Sequence, residues 1–114
     1  MSLEMIQSYC SALPHVTQTI QWGDHLVFKV AGKIFCIAGT VEPASASFKV
    51  TEEDFETLTE REGIKQAPYS AKRQWAQVDE PRFLSKAEWK HYLEKSYQLV
   101  VAKLTKKLRT ELGL

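Results

Sequence analysis

Basic and aromatic residues are interleaved between residues 65 and 90, a composition that could bind nucleic acid. Cations neutralise phosphates, and flat rings stack on exposed bases. We therefore predict a surface that binds DNA or another polyanion mainly through charge. The candidate binding residues are Lys65, Lys72, Arg73, Trp75, Arg82, Lys86 and Lys90.

The same stretch also has a structural explanation, which the sequence leaves open. The ring of Trp75 could lie on a sheet beneath the aliphatic stem of Lys72 or Arg73. A second basic cluster, residues 103–109, suits the C-terminal end of a helix, where the helix dipole favours cations. The sequence pI of 7.8 is below the value of about 9 that DNA-binding domains usually exceed.

The charges are unevenly distributed along the chain. Residues 1–64 carry four cations and nine acids, whereas residues 65–114 carry eleven cations and five acids. Either the basic half binds an acidic partner, or the two halves attract each other within one fold. Pairing of the cations with Glu52, Glu53 and Glu56 would favour the second explanation.

Residues that could support catalysis or metal binding lack the necessary spacing. His15, His25 and His91 have no HExxH partner, and the five glycines form no phosphate-binding loop. Ser85 lacks a GxSxG context and is better placed as a helix cap. We therefore expect a non-enzymatic protein with no catalytic residues, no cofactor and no metal.

Length and composition predict one ordinary globular domain over residues 1–114. The hydrophobic content is 44% and the charged content 25%. The chain starts without a signal-peptide pattern, and no apolar run approaches the roughly 20 residues of a membrane span. We expect a cytoplasmic protein with no membrane partner, in which Cys10 and Cys36 are reduced core thiols.

Hydrophobic periodicity predicts the first half of the fold. Apolar residues recur at helical spacing from Leu3 to Leu13. Residues 16–39 then alternate with a period of two around tight glycine turns, which is typical of an antiparallel meander. Val16, Ile20 and Trp22 are expected on one face of its first strand. A short strand and a capped helix from Thr51 to Gly63 follow.

The second half is predicted to add two strands and a long helix. Pro68 marks residues 64–69 as an edge strand that could accept a partner strand. Alternation in the next strand places Arg73, Trp75 and Gln77 on one face. The last helix starts at a capping box of Ser85 and Glu88. The order α-ββββ-α-ββ-α predicts an α+β fold in which helices pack against an antiparallel sheet of five or six strands.

Three segments in this order, "LVFKVAGKIF", "KRQW" and "SYQLVVAKL", resemble the MmcQ/YjbR family of small bacterial proteins. The resemblance extends from about Met5 to Leu112. It implies a YjbR-like α+β fold similar to that of type III secretion chaperones, and members are often labelled as DNA-binding. Lys72 and Trp75 match the family pattern, for which no catalytic residues are established. Many members have proline where this chain has Thr105, and its absence favours a continuous last helix here. A bend or break is the alternative, because about 25 uninterrupted residues is long for a helix in a small domain.

The sequence and the resemblance together predict a non-enzymatic protein that binds nucleic acid through the 65–90 surface. The alternative is a protein-binding adaptor or chaperone-like module without a nucleic-acid role. The expected partners are DNA or another polyanion, or a protein, and the expected state is a monomer or weak homodimer.

Overall fold

The computed structural model describes residues 2–41, 43–68, 70 and 72–114, which form four α-helices, one short 3₁₀ helix (Pro81–Phe83) and six strands. The helices are α1 (Leu3–Ala12), α2 (Glu52–Thr59), α3 (Lys86–Ala102) and α4 (Lys106–Leu112). The strands are β1 (Val16–Gln21), β2 (His25–Val30), β3 (Lys33–Gly39), β4 (Ala46–Lys49), β5 (Ile64–Gln66) and β6 (Trp75–Val78). The predicted α+β fold is confirmed. No helix of the described residues is long and apolar enough to cross a membrane.

Side-chain caps start three of the helices at the residues that the sequence indicates. The hydroxyl of Ser2 accepts a hydrogen bond from the amide of Met5, and that of Thr51 accepts one from Asp54. Ser85 and Glu88 form a reciprocal capping box, with distances of 3.1 and 2.9 Å. These bonds satisfy amides that have no partner within the helix, so the helix starts are encoded locally.

The last helix is interrupted, which is the alternative that its length left open, so the preference for a continuous helix was wrong. α3 ends at Ala102, and α4 begins after Thr105, whose backbone is extended at φ −62° and ψ 152°. The hydroxyl of Thr105 accepts a hydrogen bond of 3.1 Å from the amide of Leu108. A threonine N-cap therefore starts a new helix without proline.

The six strands form one antiparallel sheet in the order β1-β2-β3-β4-β6-β5. Successive residues of a strand point to opposite sides, so one side is apolar and contacts the helices. A row of Cα partners on this helix side consists of Phe28, Cys36, Phe48 and Ala76, all fully buried. We call the other side of the sheet the open side.

α3 crosses the helix side and contributes the largest core residues. The ring of Trp89 meets Phe48 at 5.9 Å between centroids, and the ring of Tyr97 meets Phe35 at 5.7 Å. The indole N–H of Trp89 donates to the Pro81 carbonyl at 2.8 Å. The Tyr97 hydroxyl donates to the Pro14 carbonyl at 2.7 Å. Both large side chains are thus buried with their polar atoms satisfied.

The two cysteines lie together in this core as free thiols, as predicted. Cys10 on α1 and Cys36 on β3 are both fully buried. The neighbouring Cys10 thiol and burial raise the pKa of the Cys36 thiol. The thiolate is the reactive form, so this environment makes Cys36 a poor nucleophile.

Arg61 connects the end of α2 to the start of α3. Its guanidinium pairs with the Glu88 carboxylate and donates to the Phe83 carbonyl at 2.9 Å. The hydrogen bond from Arg61, reinforced by the backbone amide of Ser85, lowers the pKa of Glu88 to about 2. One charged pair therefore holds the capping box and the preceding turn together.

Replacing Gly63 by alanine should destabilise the fold more than the same change at Gly32. Both glycines have φ of +77°, but a Cβ at Gly63 would lie 2.2 Å from the ring of Phe83, whereas at Gly32 nothing lies within 4 Å. In urea denaturation, Gly32→Ala should lower the free energy of unfolding by about 1 kcal/mol. Gly63→Ala adds overpacking and should lower it by about 3 kcal/mol. Equal losses would contradict the close contact.

The Glu88 pair should make stability depend on acid pH. Its folded pKa, about 2, is below the ordinary value of 4.5, so the ionised form stabilises the fold above that value. This contribution should be lost as the pH falls from about 4.5 to about 2. In urea denaturation across this range, Glu88→Gln should show a shallower decline than the wild type. The exposed control Glu62→Gln should keep the wild-type decline, and an unchanged slope for Glu88→Gln would contradict the role of the pair.

Candidate functional site

The seven residues predicted to bind nucleic acid lie on different sides of the sheet. Lys65 and Trp75 belong to the open side, on β5 and β6, and the exposed Lys72 lies in the loop that joins these strands. Lys86 and Lys90 instead line a shallow groove between α3 and α1 on the helix side. These residues therefore form no single patch.

Acidic neighbours lie close to several of the predicted cations. Arg73 pairs with Glu52 and Glu56 of α2, and its Nε lies 3.0 Å from the Glu52 carboxylate. Lys65 Nζ lies 3.6 Å from Asp79, and Arg82 lies 3.3 Å from Glu80. The pairing of Arg73 joins the basic half to the acidic half. Part of the charge difference between the two halves of the chain is thus balanced by ion pairs between them within the fold.

Arg73 does not share a face with Trp75 as the alternation predicted. β6 begins only at Trp75, and Arg73 lies in the preceding turn with φ of +60°. This backbone conformation turns its side chain toward α2, where the guanidinium lies 5.2 Å from the centre of the Phe55 ring. The aliphatic stem of Arg73 is therefore directed to α2. The prediction that it covers the ring of Trp75 was wrong.

The interleaved aromatic residues also have separate roles. Trp89 is in the core, and Phe83 packs against the core beneath the guanidinium of Arg82, at 4.2 Å from the ring centre. Trp75 is half-buried on the open side, opposite Lys49 of β4. Tyr69 lies outside the described residues. Of the rings that the structure describes in this stretch, only Trp75 lies on the open side.

A cleft of about 530 Å³ lies on the open side of the sheet. One row of Cα partners crosses all six strands there and supplies the floor of the cleft through Ile37, Ser47 and Gln77. The β1–β2 turn provides one wall through Trp22, and the β5–β6 loop provides the other through Pro68 and Ser70. The full lining is Trp22, His25, Ile37, Gly39, Ser45, Ser47, Pro68, Ser70 and Gln77.

Trp22 forms an exposed wall of this cleft, contrary to its predicted place beside Val16 and Ile20. It follows the end of β1 with φ of 52°, a left-handed conformation that is uncommon for a bulky residue. This turn directs the indole to the open side, where 64% of the residue is exposed. Its ring meets that of His25 edge to face at 6.2 Å.

The turn that carries Trp22 is fixed to the neighbouring loop. The Thr40 hydroxyl donates to the Asp24 carbonyl at 2.8 Å. The Asp24 carboxylate also lies 3.0 Å from His25 Nδ1, although without the alignment of a hydrogen bond. The backbone of the turn is therefore held in place, although the ring of Trp22 is exposed.

Polar but uncharged side chains form much of the cleft lining. The side-chain amide of Gln77 donates to Asp79 at 3.2 Å, which leaves the Gln77 carbonyl oxygen as an acceptor. Ser45, Ser47 and Ser70 add hydroxyl groups. None of the described lining residues is an acid, a lysine or an arginine. Because a buried charge needs a partner, this lining suits an uncharged ligand that forms hydrogen bonds.

The cleft was missed at the sequence level because its residues are spread from position 22 to position 77. The available signal was Trp22 itself, an aromatic residue directly before the Gly-Asp of a hairpin turn. Among the described residues, no three histidine, cysteine or acidic side chains come together in a way that could hold a metal ion.

Comparisons with known proteins agree with this fold. A family model described as YjbR matches residues 11–99. The crystal structure of a Deinococcus radiodurans protein with a DUF419 domain is 30% identical, with a TM-score of 0.91 over 99% of this chain and 88% of that one. A Pseudomonas syringae protein is 21% identical, with a TM-score of 0.72 over 87% of this chain and 98% of that one, and shows the fold alone. Among curated proteins, no match was found.

Replacing Trp22 by asparagine should stabilise the protein. Asparagine tolerates the left-handed conformation better than tryptophan, and the exposed ring contributes little packing. We expect the free energy of unfolding in urea to rise by about 1 kcal/mol. The control Trp22→Phe keeps a bulky ring at the same φ and should leave stability unchanged. A clear loss of stability in Trp22→Asn would show that the ring serves the fold.

Proposed function

Because the chain belongs to the YjbR family and its own fold leaves one side of the sheet open, we propose that it is a non-enzymatic protein that binds single-stranded nucleic acid. An unpaired base enters the open-side cleft. The observation that carries the proposal is the exposed ring of Trp22, held in a left-handed turn at the wall of a cleft whose described lining contains no acid, lysine or arginine. A strained and exposed aromatic residue costs stability, which favours a role in binding.

The chemistry of the cleft favours a base over a phosphate. A base is flat and uncharged, and it carries hydrogen-bond donors and acceptors on its edges. The indole of Trp22 offers a stacking surface, a contact worth about 1–3 kcal/mol per base. The side-chain carbonyl oxygen of Gln77 can accept from an exocyclic amine, and the Ser47 hydroxyl can donate or accept.

Cations at the edge of the cleft can neutralise the phosphates that flank the bound base. Lys72 is exposed in the loop that also carries Ser70 of the cleft lining. Lys65 is on β5, and its side chain is 60% exposed despite its contact with Asp79. Half-buried Trp75 lies on the same side. Of the seven predicted residues, three therefore remain part of the proposal: Lys65, Lys72 and Trp75.

The distribution of charge favours a single strand over a duplex. Arg73 and Arg82 are paired with acids, whereas Lys86 and Lys90 lie on the helix side. A duplex lying on the open side would therefore lose most of the predicted contacts. Its paired bases would also be inaccessible to Trp22.

The adaptor alternative has less support at the strand from which it was predicted. β5 has only three residues, includes Lys65 and is followed closely by Pro68. Short length, lysine and proline are features that protect a sheet edge from pairing. We therefore do not propose β5 as an acceptor for a partner strand.

Titration of a short single-stranded oligonucleotide, followed by tryptophan fluorescence, tests the proposal. The wild type should bind the single strand more tightly than the matching duplex or an abasic strand. Trp22→Asn should weaken binding roughly tenfold to a hundredfold, because a stacked base is lost. The control Ile20→Asn changes an equally exposed residue on the helix side and should bind as the wild type does.

Salt dependence tests the cations separately. Lys72→Ala should make the log–log dependence of affinity on salt less steep by about 0.7, the loss of one phosphate contact on a single strand. The control Lys90→Ala, on the helix side, should keep the wild-type slope. Absence of binding at about 50 mM salt would contradict the proposal. Equal slopes for the two lysine variants would contradict the assigned side.

A further inference from the structure

The two edges of the sheet differ in how they are protected. The β5 edge is short, charged and followed by proline. The β1 edge is twice as long, with six residues in regular register with β2 and no bulge. Residues 16–22 contain no charged residue and no proline. In the described chain, β2 is the only strand that pairs with β1, and of the outer backbone groups of β1 the Val16 amide donates to the Leu13 carbonyl at 3.4 Å.

An exposed apolar residue accompanies this edge. Ile20 is 65% exposed near the end of β1, although it belongs to the helix side of the sheet. Stable proteins usually protect such an edge with charge, proline or a covering segment. An uncharged and regular edge with an exposed isoleucine is therefore suited to pairing with another strand.

The sequence of β1 identifies the strand that fits it. Around Gln18, the residues Val16-Thr17-Gln18-Thr19-Ile20 have the same chemical character in both directions. In an antiparallel pair centred on Gln18, Val16 of one copy lies opposite Ile20 of the other, and Thr17 lies opposite Thr19. Apolar pairs and threonine pairs across strands are favourable, and no like charges oppose each other.

From this pattern we infer that β1 pairs antiparallel with β1 of a second copy about a two-fold axis at Gln18. The pairing joins two six-stranded sheets into one of twelve strands and covers Ile20 with Val16 of the second copy. On the helix side, Gln7 already donates to Gln18 at 2.9 Å, so the axis brings two such amide pairs together. An interface built on a single strand is small and gives a concentration-dependent dimer.

The open-side cleft is not part of this interface. Pairing uses the outer backbone groups of β1, whereas the cleft floor lies on β3, β4 and β6. Dimerisation and nucleic-acid binding can therefore be tested independently of each other. Trp22→Asn should leave the molar mass in solution unchanged while it weakens binding of the oligonucleotide.

Sedimentation equilibrium of the full chain, combined with charge substitutions at Gln18, tests the inference. The wild type should change from monomer to dimer over about 1 µM to about 1 mM. Gln18→Lys should be a monomer because two lysines oppose each other at the axis, and Gln18→Glu should be a monomer for the same reason. An equimolar mixture of the two variants should again form a dimer, since lysine now opposes glutamate.

A matched control and a folding check make the outcome decisive. Gln66→Lys makes the same substitution on the exposed opposite edge, β5, and should dimerise as the wild type does. Circular dichroism should show that all variants are folded. A wild type that is monomeric at every concentration would overturn the inference. Dimers of Gln18→Lys alone, or a mixture that stays monomeric, would overturn the two-fold axis at Gln18.

Discussion

Packing of α3 across one side of the sheet is the constraint on which the other features depend. Trp89 and Tyr97 fill the space above the phenylalanines of β3 and β4, and each satisfies its polar atom with a backbone carbonyl. Burial of such large side chains is the main stabilising contribution in a domain of this size. Because α1 and α3 cover the same side, the opposite side remains available for a ligand.

The charges follow from the same arrangement. Once α2 lies beside β5 and β6, its acidic first turn is close to the turn before β6, and Arg73 can reach Glu52 and Glu56. A similar pair, Arg61 with Glu88, connects α2 to α3. Cations that the sequence groups within 26 residues are thus separated by the chain reversal between β6 and α3. A cluster in sequence does not become a surface when the elements that carry it lie on opposite sides of a sheet.

The β1–β2 hairpin contributes both to the open-side cleft and to the exposed edge of the sheet. The turn directs Trp22 into the cleft through an unfavourable backbone conformation. The strand before it keeps a regular and uncharged edge. Membership of the YjbR family and its fold are established by the comparisons, whereas the ligand of the cleft and the partner of the edge are proposals from this geometry.

The sequence by itself determined the order of the elements, the helix starts and the alternation of most strands, because caps and periodicity depend on neighbouring residues. It also placed Cys10 and Cys36 in the core. Only the tertiary structure decided the direction of Arg73 and the place of Trp22, because both depend on positive φ angles that no periodicity encodes. The break at Thr105 has a local cause, the threonine cap, but the apolar periodicity continues through it. The cleft depended wholly on tertiary structure, since the strand order and the turn at Trp22 together bring residues 22 and 77 to the same side of the sheet.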